Sequence, residues 1–121
     1  MYQNPKNLGH PINSDLGEYC PFISPDDTYL IFEVVDKPRG FGGGDMYISW
    51  KQSDGSWGKQ TNMGETFNSS RNDCYPCLSP DGQFFFFMSD RHMRTPRKSD
   101  KKLNYRNIVE NAQKKGGWDI Y

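Results

Sequence analysis

No apolar run in the 121 residues approaches the roughly 18 that a membrane-crossing helix needs. The first residues also lack the apolar core of a secretory signal. Net charge is absent: 15 Lys and Arg balance 15 Asp and Glu, so overall charge selects no nucleic acid, membrane surface or acidic substrate. Hydrophobic residues are scarce at 34% and mean hydropathy is −0.91. With 15% aromatic residues, rings must supply much of a lean core. Cysteine is down to three, an odd number that cannot all pair within one chain. No G-x-S-x-G elbow surrounds Ser24 or Ser79, and no D-x-D-x-D-G calcium loop occurs. His10 and His92 have no Asp or Ser partner that the sequence can fix, so each reads as a loop residue rather than a general base.

Cys74-Tyr75-Pro76-Cys77 has the C-x-x-C spacing of redox and zinc sites. In an extended strand, residues i and i+3 point to opposite faces, about 10 Å apart along the chain. The pair therefore cannot bridge or share a metal without a turn, and the second ligand pair of a zinc site is missing. Small buried hydrophobes in a strand is the reading preferred for these cysteines.

What is present is a sentence written twice. Tyr75-Pro76-Cys77-Leu78-Ser79-Pro80-Asp81-Gly82-Gln83-Phe84-Phe85-Phe86-Phe87 follows Cys20-Pro21-Phe22-Ile23-Ser24-Pro25-Asp26-Asp27-Thr28-Tyr29-Leu30-Ile31-Phe32 at an offset of 55. The same offset aligns Asn7-Leu8-Gly9 with Asn62-Met63-Gly64, Ile12-Asn13-Ser14 with Phe67-Asn68-Ser69, and Glu18 with Asp73. Pro-Asp-Gly is turn chemistry: Pro presets φ, Asp bonds its own backbone and Gly accepts positive φ. Each copy thus reads as strand, turn, strand. The four consecutive Phe imply a second strand covered on both faces.

In the first copy the expected strands are Tyr19 to Ser24, Thr28 to Val35, Asp45 to Trp50 and Trp57 to Asn62, the last two joined by the Asp54-Gly55 hairpin. The second copy stops after a third strand, Trp118 to Tyr121. Its missing fourth strand has an apparent substitute at the other end, where Tyr2 to Asn7 aligns with Trp57 to Asn62. A repeat longer than about 40 residues with several short strands suggests propeller blades. The expected fold is all-β, with two four-stranded blades per chain. Residues 1–7 form a closing strand, 8–62 blade one, and 63–121 blade two with a basic insertion at 91–115. The insertion holds nine Lys or Arg against Asp100 and Glu110, a net +7. A short helix after Ser99-Asp100 is expected within it.

These residues resemble the TolB-type β-propeller repeat family, relatives of the WD-repeat fold. The likeness rests on Asn7-Leu8-Gly9, Ile12-Asn13-Ser14, Glu18, Pro21, Ser24-Pro25-Asp26 and Gly43-Gly44-Asp45-Met46-Tyr47. It recurs in Asn62-Met63-Gly64, Asp73, Pro76, Ser79-Pro80-Asp81-Gly82, Ser89-Asp90-Arg91 and Trp118-Asp119-Ile120-Tyr121. Asp27 departs from the usual Gly. The family builds rings of about six blades. The resemblance therefore implies a six-bladed ring, made by three copies of this chain or within a longer one. It also suggests a bacterial periplasmic or envelope setting.

In such a ring one loop face gathers His10, Asn13, Glu18, Asn68, Arg71, Asp73 and Arg91, the candidate binding residues. Glu18 and Asp73, with Asn13 and Asn68, offer oxygen ligands to a calcium ion in the channel. The preferred alternative is that each carboxylate accepts bonds from its own loop. The basic insertion suits a polyanion, but Tyr105 is its one aromatic for base stacking, which argues against nucleic acid. The reading adopted is a non-enzymatic scaffold that binds a protein or small ligand. The alternative is a metal-assisted lyase or hydrolase at the channel mouth.

Overall fold

The computed structural model describes residues 4–91 and 118–121. Among them the chain is all-β, in two antiparallel sheets. The first sheet runs β1 (Glu18–Ile23), β2 (Tyr29–Val35), β3 (Gly44–Trp50) and β4 (Thr61–Asn62), in that order. The second runs β5 (Asp73–Leu78), β6 (Phe85–Ser89) and β7 (Asp119–Ile120).

The turns form where their chemistry demands. Ser24 N–H donates to the Tyr29 carbonyl and Asp27 N–H to the Ser24 carbonyl; 55 positions on, Ser79 donates to Phe84 and Gly82 to Ser79. Asp27 and Gly82 both have positive φ, 57° and 70°. Gly tolerates this without penalty and Asp does so because its short polar side chain bonds locally. The Asp54-Gly55 hairpin forms with Gly55 at φ 83° and Gln52 N–H donating to Ser56. A bulge interrupts both first strands, between Tyr19 and Phe22 in β1 and between Cys74 and Cys77 in β5. Cys20 and Tyr75, 55 apart, carry its positive φ of 51° and 52°.

β2 alternates between two faces. Leu30, Phe32 and Val34 join Ile12 and Tyr47 in one buried cluster, with Trp57 against it. Ile31, with Met46 and Phe87, forms a second cluster that Phe22, Ile48, Phe67, Phe85 and Tyr121 complete. This second cluster holds the two sheets together. A parallel bridge between Gly44 and Asn72 ties their ends.

Two expectations change, the fourth strand and the Phe run. β4 spans only Thr61–Asn62, because after the hairpin the chain makes one bridge, Lys51 to Trp57, before rejoining β3. Asn4 to Asn7 lie outside the strands of the single chain, and the first three residues of the expected closing strand lie outside the described ones. The Phe run is covered on one face rather than two. Phe85 and Phe87 pack on Phe67, while Phe84 and Phe86 point outward, Phe86 remaining 40% exposed. The helix expected after Ser99-Asp100 lies outside the described residues.

Candidate functional site

The loops that lead into β1 and β5 are built alike. The Asn7 side chain accepts from Gly9 N–H and Asn13 Nδ2; the Asn62 side chain accepts from Gly64 N–H and Asn68 Nδ2. Glu18 accepts from the Ser14 backbone and hydroxyl, as Asp73 does from those of Ser69. These bonds fix a carboxylate at the start of each first strand. They also take up one oxygen of each carboxylate offered to calcium. Asp73 is fully buried, and its other oxygen accepts from Ser89 Oγ at 2.5 Å and from Arg91 Nη2 at 2.6 Å. Arg91 also lies over the Phe87 and Tyr121 rings, about 5 Å from each centroid. A guanidinium held between a buried carboxylate and two rings is a structural clamp.

Of the candidate residues, the structure thus joins Asp73 and Arg91 at the end of the second sheet, with Arg91 also donating to the Phe67 carbonyl. Asn68 is buried and faces the first sheet. Met46 N–H donates to its Oδ1 at 2.8 Å, and its Nδ2 donates to the Met46 carbonyl at 2.9 Å. Arg71 is exposed, with its carbonyl accepting from Gly43 N–H. Asn13 and Glu18 line a separate cavity of about 160 Å³ with Leu8, Tyr19 and Leu30. His10 lies apart from them. It lines a cavity of about 500 Å³ with Lys6, Trp57 and the Gly55-Ser56 turn of the hairpin between β3 and β4.

A further cluster of chemistry-bearing groups was not among the expected residues. Cys20 Sγ, a Glu33 carboxylate oxygen and Cys74 Sγ all lie within 4.8 Å of one another. Glu33 follows Ile31 on the face of β2 that meets the second sheet, and is only 8% exposed. The Cys20 thiol donates to its Oε2 at 3.6 Å. Gly44 makes room: a Cβ there would overlap the Glu33 carboxylate. Burial raises the pKa of Glu33 and of Cys20. Cys74 is pushed up to about 12, by burial first and then by the Glu33 charge. The sequence held one signal, a lone carboxylate inside Tyr29-Leu30-Ile31-Phe32-Glu33-Val34-Val35. The reading of both C-x-x-C cysteines as small buried hydrophobes holds for Cys74 alone, because Cys77 is exposed.

No family model, no curated protein and no solved structure matches the chain.

Proposed function

We propose that the chain is a two-blade segment of a TolB-like propeller that closes a six-bladed ring with two further copies. The ring is a rigid, non-enzymatic scaffold whose loop face takes a protein or small ligand. The observation that carries this reading is an asymmetry between two equivalent asparagines. Asn68 clamps both backbone groups of Met46 in β3. Asn13, its counterpart, donates to Asn7. Ile120 in β7 occupies the place of Met46 in its own sheet and is 75% exposed. Asn13 of a second copy therefore matches Ile120 as Asn68 matches Met46.

The apolar surfaces agree. Met63 and Phe67 help bury the face of the first sheet that carries Ile31 and Met46. Their counterparts are Ile12, buried in its own sheet, and Leu8, which is exposed and stands ready to cover Phe86 and Ile120 of another copy. Asn7 would then pair with Tyr121, next to β7, as Asn62 pairs with Tyr47 in β3. The contact is head-to-tail, so rotation must close it into a ring.

Light scattering on the eluting protein tests this. The expected mass is three times 14.0 kDa; a species that stays at 14.0 kDa at every concentration would overturn the ring. Turnover in a screen of glycan and ester substrates would overturn the non-enzymatic part.

A further inference from the structure

The two sheets meet across an apolar layer, and one carboxylate and two thiols interrupt it. Among the described residues Glu33 has a single side-chain hydrogen bond, a weak one from Cys20. Among the described residues the ion pairs are Lys51–Asp27 and Arg91–Asp73, and neither reaches Glu33. A carboxylate more than nine-tenths buried with a thiol as its partner is costly unless something compensates it. The neighbouring groups are those a thiophilic divalent ion takes.

We propose that Cys20, Cys74 and Glu33 form a zinc site that staples the first sheet to the second. Each ligand comes from a different strand, β1, β5 and β2. The bulge residue Cys20 supplies the sheet-one thiol, and Cys74, just before the β5 bulge, supplies the other. Zinc binds thiolate sulfur at about 2.3 Å and carboxylate oxygen at about 2.0–2.2 Å, so a tetrahedral ion sets sulfur and oxygen roughly 3.5 Å apart. The observed Cys20 Sγ to Glu33 Oε2 separation is 3.6 Å. Two thiolates select zinc over calcium or magnesium. Binding sends both thiol protons to solvent, and with the Glu33 carboxylate the three ligands carry one negative charge more than the ion neutralises. A water fills the fourth position. The site lies wholly within one chain and does not rest on ring closure.

The test uses the full chain, reduced without a chelating reductant, stripped with a chelator and titrated with zinc or cobalt. The expected result is one ion per chain, with a near-ultraviolet thiolate-to-cobalt absorption and a raised Tm. Cys77→Ser leaves uptake unchanged, whereas Cys20→Ser and Cys74→Ser abolish it. Glu33→Gln raises Kd by at least the about 10–100-fold that loss of an outer-shell partner costs. Should the serine variants fail to fold, the cobalt spectrum of the unaltered chain decides alone. Absence of uptake, a cobalt spectrum without thiolate absorption, loss of the ion in Cys77→Ser, or oxidation of Cys20 and Cys74 to a disulfide in a chain that binds no zinc would each overturn the site.

Discussion

At the scale of single residues, equivalent positions separate what a side chain is from where it stands. Asn68 makes two buried bonds to Met46 and a third to Asn62. Replacing it by Ala strands a buried N–H and C=O, and Asn68→Ala is expected to destabilise the chain by about 3 kcal/mol. Asn13→Ala, which gives up one bond to Asn7 near the surface, should cost under about 1 kcal/mol where chains are apart. Urea unfolding of the two variants side by side checks the difference. The turn aspartates act through pH instead. The Ser24 hydroxyl lowers the pKa of Asp26, as the Ser79 hydroxyl lowers that of Asp81. A carboxyl whose folded pKa lies below its unfolded value adds stability above the unfolded value, about 3.9, and loses it as pH falls through the folded one. The Asp26→Asn, Asp81→Asn double variant should therefore show a flatter loss of urea midpoint than the parent below about pH 4. An equal slope in both proteins would exclude these turns as the source.

At the scale of elements, turn chemistry and the 55-residue offset made the strands legible, because Pro, Asp and Gly act locally. Every strand but β4 lies within two residues of its expected bounds, and β4 shrank because Trp57 to Gln60 make no ladder. Side-chain convergence was not legible. Cys20, Glu33 and Cys74 are distant in sequence and meet only because two bulges re-aim the first strands. Arg91 could be placed on a loop face, but not against Asp73 and two rings. The approach of the two sheets also rests on the Gly-rich bend before β3, Gly40-Phe41-Gly42-Gly43-Gly44, which the sequence shows as a bend but not as a contact. A Cβ on Gly42 would overlap the backbone of Arg71, and Gly43 N–H donates to the Arg71 carbonyl at 3.1 Å. Backbone cannot swing aside as a flexible side chain can. Gly42→Ala should thus cost about 2 kcal/mol or more in thermal unfolding, well above the few tenths of an ordinary surface change. Gly82→Ala, with open space around a φ of 70°, should cost only about 1 kcal/mol.

At the scale of the whole molecule, the described residues fill one interface between the two sheets and leave other apolar side chains exposed. Leu8 and Tyr19 are exposed on one side, Phe84, Phe86, Trp118 and Ile120 on the other. Repeat architectures gain stability from contacts between neighbouring units, so a surface without its neighbour withholds part of that gain. If three chains supply one another's neighbours, stability becomes a function of concentration, because association draws on the folded state alone. The Tm should climb as protein is added and the scattering mass should climb with it. Ile120→Arg isolates the cause. Ile120 is 75% exposed and outside both buried clusters, so the substitution leaves the fold of a separate chain nearly untouched. In the proposed contact the same position lies where Met46 is fully buried in the first sheet, and a guanidinium there would be desolvated without a partner. The variant should elute at 14.0 kDa, with a Tm that no longer responds to concentration and matches that of the dilute parent. A variant that keeps both the parental mass and its concentration dependence would show that β7 is not where the copies meet.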